Sequence, residues 1–308
     1  MGRLCVVRLG RRLAIGDIAM GLVDLHGVSF RYPEGSLALD GVDMDVRAGS
    51  FTALLASNGS GKTTLIKLIA GLLVPVSGGI TLDGKPLAGY SPKELYGTVG
   101  VVFQNPDDQL FAPTAADDVA FGPRNMGLDE KTVGERVQEA LEGVGMLHAA
   151  GRSVHHLSFG EKKKVALAGV LAMRPRLLLM DEPTASLDPA GEADMMRLIG
   201  NLNRLHGVTV VMATHSIDLL PLFADEIYIF KNGRVLQRGS AREILSDHAV
   251  MHGAGLRLPY ISSLLHEMKM GDGLPIGGLP LTIGEARKRF LELIPDEVFT
   301  RPIGDGKN

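Results

Sequence analysis

The sequence of 308 residues has almost no cysteine, and this scarcity excludes two classes of protein. Its single cysteine, Cys5, cannot build an intramolecular disulfide framework, and nothing in the sequence resembles a thiolate metal cluster. The nine histidines show no spacing that is typical of metal ligands. We therefore expect a protein of a reducing compartment such as the cytoplasm, without a histidine or cysteine metal centre.

The sequence also lacks long apolar runs and an excess of basic residues. An apolar run such as residues 165–173 (VALAGVLAM) is about half the length that crosses a bilayer, so we predict no spanning helix and assign any membrane role to a partner. The formal net charge is -3, whereas nucleic-acid binding normally shows as a basic excess or stripe. We therefore predict no nucleic-acid partner.

The first twenty residues differ from the rest in charge. Residues 1–20 contain four arginines and one acid, and they have no apolar run long enough for a signal peptide. Met20 is followed directly by a strand-like segment. We predict that this stretch is either an over-read extension, with Met20 as the native start, or a disordered basic tail.

Strand-like runs alternate with helical segments from residue 22 onward. The runs are residues 22–30, 51–56, 79–83, 99–103, 176–181 and 208–214. The last two are continuously apolar, which is typical of central parallel strands, and a ligand would lie at their polar ends. Asn232-Gly233 predicts a hairpin turn, because both residue types tolerate positive φ. The pattern predicts one α/β core with an antiparallel β portion near the N-terminus.

The character of the sequence changes after about residue 247. Two short amphipathic helices are predicted there, and the second opens with a capping box of Thr282 and Glu285. Their apolar stripes are Ile261, Leu264, Leu265 and Met268 in the first, and Ile283, Ala286, Phe290 and Leu293 in the second. These helices either cover the core or form a subunit contact.

Residues 54–71 (LLASNGSGKTTLIKLIAG) contain a phosphate-binding loop between a strand and a helix. Glycines let the backbone approach a triphosphate, Lys62 would reach its β- and γ-phosphates, and the Thr63 hydroxyl would ligate Mg²⁺. The predicted ATP-binding residues of the loop are Asn58, Gly59, Ser60, Gly61, Lys62, Thr63 and Thr64.

Ala56 stands where the usual pattern of such loops has its first glycine. It lies at the strand end, before the backbone N–H groups that bind phosphate. A methyl group there would cost about 1 kcal/mol only if the residue needed positive φ. We therefore expect nucleotide binding to survive this departure.

A pair of adjacent carboxylates, Asp181 and Glu182, ends the buried strand of residues 176–181. Successive side chains at a strand end point in different directions, so one can hold Mg²⁺ through water while the other orients the attacking water. This division of roles predicts hydrolysis of the bound triphosphate.

Residues 155–169 (HHLSFGEKKKVALAG) form a second phosphate-type site. Ser158 is suited to an N-cap, Gly160 allows close approach, and the helix that follows would face an anion with its N-terminus. One triphosphate does not need two such loops from the same chain. We therefore predict that this segment completes the site of a second subunit.

Taken in order, these motifs resemble the ATP-binding subunits of ATP-binding cassette (ABC) transporters over roughly residues 21–245. The matching segments are the phosphate loop, Gln104, the signature LSFGE at 157–161, LLLMDEP at 177–183, SLDP at 186–189 and His215. The resemblance implies that Tyr32 stacks on adenine, that Gln104 senses Mg²⁺ and the attacking water, and that Glu182 is the catalytic base. It also implies that Asp188 links two sites across a dimer and that His215 contacts the γ-phosphate.

The signature departs from the family pattern at Phe159 and Glu161. Glu161 would gain about 0.3 to 1 kcal/mol from the helix dipole. It would also repel a nearby phosphate by a few kcal/mol at an effective dielectric constant of about 20. We expect Lys162, Lys163 and Lys164 to offset that repulsion, and we expect Ser158, Gly160, Glu161 and Asp188 to contact the nucleotide.

Residues 101–123 (VVFQNPDDQLFAPTAADDVAFGP) closely resemble the energy-coupling-factor importers, particularly their cobalt and nickel branch. That resemblance implies a second ATPase subunit (a copy of this chain or a sister chain), a membrane scaffold subunit and a substrate-binding membrane subunit. It places the chain at the cytoplasmic face of the membrane. The alternatives are the same kind of ATPase subunit in a vitamin importer, and a nucleotide-binding subunit that has lost the ability to hydrolyse ATP.

The expected fold follows from the same resemblance. It is a phosphate-loop ATPase with a parallel core sheet flanked by helices, an N-terminal antiparallel β subdomain and a helical signature subdomain. We expect the ATPase domain over residues 21–246 and a helical extension over residues 247–308. A DNA-repair cassette ATPase would need a long coiled coil or zinc-binding cysteines before Asp181, and the sequence has neither.

Overall fold

The computed structural model of the chain describes residues 21–57 and 59–294. The predicted N-terminal extension and the loop residue Asn58 lie outside these residues. Within them, the strands are β1 Val23–Arg31, β2 Leu37–Val46, β3 Phe51–Leu55, β4 Ser77–Leu82, β5 Lys85–Pro86, β6 Val99–Val102, β7 Leu177–Asp181, β8 Thr209–Thr214, β9 Glu226–Lys231 and β10 Arg234–Ser240.

The helices of the same residues lie mostly between and after these strands. They are α1 Lys62–Ile69, α2 Pro92–Thr98, α3 Ala115–Asn125, α4 Glu130–Gly143, α5 Phe159–Ala172, α6 Pro189–His206, α7 Ala241–Ser246, α8 His248–Gly253, α9 Tyr260–Met270 and α10 Ile283–Leu293. None of these described helices is both long enough and apolar enough to cross a membrane.

The strands form two sheets, as expected from the sequence. The N-terminal sheet is antiparallel where its strands pair, in the order β2-β1-β4-β5. The larger sheet has the order β10-β9-β3-β8-β7-β6, and only its edge strand β10 runs antiparallel to its neighbour. The predicted fold class, with a parallel core sheet and an N-terminal antiparallel portion, is confirmed.

The central strands β3, β7 and β8 are buried at every residue. Apolar residues of one face pack on α5 and α6, and those of the other face pack on α1 and the N-terminal sheet. Both faces of the sheet are therefore covered, which explains why these three strands are mostly apolar. Helices α3, α4 and α5 pack on one another and form the helical subdomain that carries the signature.

The predicted hairpin between β9 and β10 is confirmed. Asn232 and Gly233 have φ values of 51° and 76°, as a tight hairpin turn with two positive φ angles requires.

The C-terminal helices cover the core only in part. Met251 of α8, together with Leu258 and Leu281, belongs to the main core, while α9 and α10 form a small cluster of their own. The predicted stripes were wrong at Leu264, which is 52% exposed, and at Ile283, which is 78% exposed. Ile283 is the first residue of α10, and in α9 the neighbouring Leu265 is the residue that is buried.

The close packing of β6 on α5 can be tested at Gly100. A Cβ atom at this position would lie 2.2 Å from Val170 Cγ1 and 3.0 Å from Pro175 Cγ. Because the branched side chain of Val170 is buried and the ring of Pro175 is rigid, neither can move far, and we expect Gly100→Ala to lower the free energy of unfolding by about 1 to 3 kcal/mol. Urea denaturation measures this change.

Gly134→Ala is the matched control for that experiment. Gly134 is exposed in α4, and an added Cβ would meet no atom within 4 Å. Alanine there should raise stability by about 0.5 to 1 kcal/mol because it favours the helix. A Gly100→Ala variant as stable as the wild type would contradict the close packing.

Candidate functional site

The phosphate loop connects the end of β3 to the start of α1. Gly59 and Gly61 have φ values of 77° and 98°, a region that residues with a Cβ atom rarely adopt. A Cβ atom at Gly61, the N-cap of α1, would also lie 2.5 Å from the carbonyl oxygen of Ala38. Glycine is therefore required at Gly61, and it lets the loop backbone open the N-terminus of α1 toward a ligand.

Ala56 does not strain this loop. It is fully buried at the end of β3, in the apolar cluster between the two sheets, and its φ is not positive. The methyl group therefore occupies core space and keeps an ordinary backbone conformation. The strain expected for a positive φ at Ala56 is therefore absent.

Lys62 places its ammonium group inside the loop. Its Nζ donates to the carbonyl oxygens of Ala56 at 2.8 Å and of Ser57 at 3.4 Å. Burial lowers the pKa of Lys62, and the carboxylates of Glu182 and Asp181 partly oppose that effect. A positive charge held this way can contact phosphate oxygens at the start of α1.

Thr63 and Asp181 come together from α1 and β7. The Thr63 hydroxyl donates to Asp181 Oδ2 at 2.6 Å. Burial raises the pKa of the Asp181 carboxyl, and the hydrogen bond from Thr63 opposes this. A hydroxyl and a buried carboxylate are oxygen donors of the kind that Mg²⁺ prefers, so this pair fits that ion.

Tyr32 also reaches the phosphate loop. Its hydroxyl lies 3.0 Å from Thr64 Oγ1, and its ring packs edge-on against Phe30 with 5.0 Å between centroids. The ring is half-buried beside the loop. Its predicted role as an adenine contact is consistent with this place.

Glu182 and His215 form a second pair at the ends of β7 and β8. Glu182 Oε2 lies 2.8 Å from His215 Nδ1 and 3.3 Å from the His215 backbone nitrogen, which donates to it. Asp181 points instead toward Thr63. The prediction that the two adjacent carboxylates face different partners is confirmed.

Glu182 has an unusual backbone for a non-glycine residue. Its φ of 49° is in the left-handed region. Its backbone N–H donates to the Ala213 carbonyl at 2.9 Å, which keeps the residue in register with β8. Such conformations persist only where the surrounding structure holds them.

The signature segment forms the N-terminus of α5. Ser158 is the N-cap and accepts from the Glu161 backbone nitrogen at 3.3 Å, while Glu161 Oε2 accepts from the Ser158 nitrogen at 2.7 Å. The predicted cap is confirmed, and Glu161 completes a capping box. An added Cβ at Gly160 would meet only Leu187, at 3.5 Å, so its outer face is open.

The charge on Glu161 is matched by a residue that sequence reasoning missed. Arg152 Nη1 donates to Glu161 Oε1 at 2.9 Å, and its Nη2 donates to the His156 carbonyl at 2.8 Å. The backbone N–H of Ser158, followed by its hydroxyl and by Arg152, lowers the pKa of Glu161 despite partial desolvation. The carboxylate is thus turned back onto its own helix.

The expectation that Lys162, Lys163 and Lys164 offset the charge of Glu161 was therefore wrong for the first two. Lys162 Nζ pairs with Asp107 at 2.6 Å, and Lys163 is buried against backbone carbonyls on the far side of the helix. Neither faces Glu161. The helical periodicity of α5, which sends residue 163 inward, is the signal that could have separated these roles.

Two predicted residues, Gln104 and Asp188, share no hydrogen bond with the described residues of the phosphate loop. Gln104 is exposed just after β6, and Asp188 is the N-cap of α6, where Oδ1 accepts from the Gly191 nitrogen at 2.6 Å. Among the described residues, no hydrogen bond joins Gln104, Asp188 or the α5 N-terminus to the phosphate loop. One chain thus presents two separate phosphate-type surfaces.

Comparison with known proteins gives several close matches. The family model described as ABC transporter matches residues 39–185. A Geobacter sulfurreducens protein named as an ABC transporter ATP-binding protein is 52% identical over 272 residues, which are 88% of this chain and 97% of that protein. An energy-coupling factor transporter ATP-binding protein of Methanocaldococcus jannaschii is 43% identical over 281 residues, 90% of this chain and 100% of that protein.

Solved structures agree with these matches. CbiO1 of Clostridium perfringens, part of the ABC transporter complex CbiONQ, has a TM-score of 0.69 and 41% identity, and the match covers 80% of this chain and 99% of that one. A dimeric ATP-binding cassette in a post-hydrolysis state, bound to ADP and phosphate, has a TM-score of 0.65 and 28% identity. That match covers 71% of this chain and 99% of the other.

The contact between Arg152 and Glu161 generates a test of the signature. Without Arg152, the Glu161 carboxylate would have no cation beside it and would repel the phosphates predicted to lie at this helix N-terminus. We therefore expect Arg152→Met to raise the KM for MgATP several-fold, a loss of about 1 kcal/mol in binding free energy. The melting temperature should hardly change, since such partly exposed ion pairs contribute about 0 to 1 kcal/mol. Steady-state ATP turnover measures the KM.

Two further variants show whether a change in KM comes from the charge of Glu161. Arg152→Met combined with Glu161→Gln should recover most of the affinity, because no carboxylate remains to be matched. Arg174→Met is the control, since Arg174 forms a similar ion pair with Glu139, 2.7 Å long, on another helix. If the double variant binds no better than Arg152→Met, the charge of Glu161 is not what Arg152 matches.

Proposed function

The chain belongs to the ABC transporter ATP-binding proteins of the energy-coupling-factor type, and we propose that it powers a membrane importer of cobalt or nickel ions. It is an ATPase, and ATP is its substrate. The single observation that carries its role as the hydrolytic subunit is the pair of contacts at the ends of β7 and β8, where Thr63 meets Asp181 and Glu182 meets His215.

The phosphate loop binds the triphosphate in this proposal. Backbone N–H groups from Gly59 to Thr64 and the Lys62 ammonium hold its phosphates, Asn58 belongs to the same loop, and Tyr32 contacts the adenine. Thr63 and Asp181 would hold Mg²⁺, with Gln104 completing the contact from the end of β6. Bound there, Mg²⁺ neutralises negative charge on the phosphate oxygens.

Glu182 is the base that orients and deprotonates the attacking water. The water oxygen bonds to the γ-phosphorus, its proton passes to a Glu182 oxygen, and the bond to the bridging oxygen of ADP breaks. His215 donates to Glu182 Oε2 from its backbone nitrogen, and its ring lies beside the same oxygen. His215 thus fixes the carboxylate and can contact the γ-phosphate from its exposed side.

Two copies of the chain form two complete sites. The α5 N-terminus, with Ser158, Gly160 and Glu161, faces the γ-phosphate held by the other copy, and Asp188 lies between the two sites. Each chain carries both a phosphate loop and a signature segment, so two copies of it supply both parts of each site. A sister chain is the alternative partner. ATP drives closure because it binds the closed pair more tightly than the open one.

The importer's other subunits lie in the membrane. We assign the chain to the cytoplasmic face, in contact with a scaffold subunit, while a separate membrane subunit binds the transported ion. The resemblance of residues 101–123 to the cobalt and nickel branch supports this substrate, as does the likeness to a chain of the CbiONQ complex. A vitamin importer with the same ATPase is the alternative.

We further propose that residues 21–246 are the ATPase domain and that residues beyond 246 are a helical extension. The described part of that extension packs on the core through α8 and carries a separate small cluster in α9 and α10.

Glu182→Gln tests the hydrolytic role directly. The amide keeps the shape of the side chain but cannot accept the proton from water, so we expect kcat to fall about 100-fold or more with MgATP affinity retained. The variant should accumulate an ATP-bound dimer, which light scattering detects. Glu139→Gln on the exposed surface of α4 is the matched control and should leave turnover unchanged.

The same variant tests the transport assignment. In vesicles holding the complete importer, the wild-type complex should take up radioactive Co²⁺ or Ni²⁺ when ATP is supplied, and the Glu182→Gln complex should not. Uptake of a vitamin in place of the ions selects the alternative. Full turnover by Glu182→Gln would show that Glu182 is not the base.

A further inference from the structure

Lys163 is a buried cation that contacts the backbone beside Glu182. It lies in the second turn of α5 and is only 2% exposed. Its Nζ donates to the carbonyl oxygens of Glu182 and Pro183, each at 3.0 Å. The Phe159 ring, one turn earlier on the same helix, lies with its centroid 5.4 Å from Nζ and supplies an aromatic face for the ammonium.

The segment that Lys163 holds is conformationally demanding. Glu182 has a left-handed backbone, and Pro183 has no N–H with which to anchor the chain beyond it. The Glu182 carbonyl also accepts from the Ala185 nitrogen at 3.2 Å, which closes a tight turn after the strand. On the α5 side, the hydrogen bonds from Lys163 are what fix the carbonyls of Glu182 and Pro183.

Retaining a lysine at this depth is costly unless its donors are satisfied. Burial lowers the pKa of Lys163 to about 8, and the Glu182 carboxylate opposes the shift. The other residues of α5 that face the core from this side are apolar, such as Leu167 and Val170. Methionine or leucine would fill the same space without this cost, so packing alone does not account for an ammonium there.

We propose that Lys163 is a positioning residue that ties the backbone of Glu182 and Pro183 to α5 and so keeps the Glu182 carboxylate aimed at the attacking water. The inference rests on the proposed role of Glu182. Lys163 also links the two phosphate-type surfaces of one chain. The N-terminus of α5 carries Ser158 and Gly160, and about one turn later Lys163 of the same helix holds the backbone of Glu182.

Three variants of the full-length chain test the inference. Lys163→Met removes the donors and leaves an unbranched side chain one atom shorter. Lys163→Gln has the same length as the methionine variant but restores two N–H donors without charge. Lys131→Met, at an exposed lysine of α4 that has no assigned role, is the matched control. For each variant we measure kcat for MgATP, the Kd for MgATP by calorimetry, and the melting temperature.

The expected result is a fall in kcat of about tenfold or more for Lys163→Met at an unchanged Kd, since only the reacting geometry is disturbed. Lys163→Gln should recover most of that loss, and Lys131→Met should match the wild type. If Lys163→Met does not fold, Lys163→Gln decides alone: turnover kept supports the hydrogen bonds, and turnover lost at an unchanged Kd overturns them.

Three results would overturn the inference: full turnover by Lys163→Met, equal losses by the methionine and glutamine variants, or a parallel loss of affinity and turnover that marks a general defect. Glu182→Gln measured beside them separates this failure from failure of the proposed base. If Glu182→Gln is inactive while Lys163→Met is active, only the positioning role is lost.

Discussion

The parallel register of β3, β8 and β7 is the constraint on which the site depends. Leu55 pairs with Thr214, and Ala213 pairs with Asp181, so three adjacent strands end at the same level. The phosphate loop, Glu182 and His215 each follow one of these ends. A shift of one residue in either pairing would turn the carboxylates away from the loop, because side chains alternate between the faces of a sheet.

The second requirement is that irregular backbone at those strand ends be held from outside the sheet. Gly61 permits the loop to turn, and the left-handed Glu182 is held by the Ala213 carbonyl on one side and Lys163 on the other. Helix α5 therefore serves two sites. Its N-terminus carries the signature, and its buried face supports the base of its own chain.

Much of this arrangement could be predicted from the sequence where spacing alone decides geometry. The glycines of the loop, the different directions of Asp181 and Glu182, and the Asn232-Gly233 turn all follow from local rules. The strand β2 was missed because its pattern of polar and apolar residues is mixed. The partners of Arg152 and Lys163 could not be predicted, because they depend on how the helices pack. The lysine run from 162 to 164 looked uniform in sequence, yet its first two residues meet a carboxylate and a buried carbonyl pair.

The central claim is that the phosphate loop of one chain is completed by the signature of another copy, and complementation tests it most directly. Lys62→Ala disables the loop, and Gly160→Asp adds an acid to the open face of the signature, where its Cβ meets only Leu187. Each variant alone should be inactive. Mixed together, they should regain ATP turnover, because a mixed dimer has one site with both parts intact. A mixture that stays inactive would contradict a site shared between two copies of this chain.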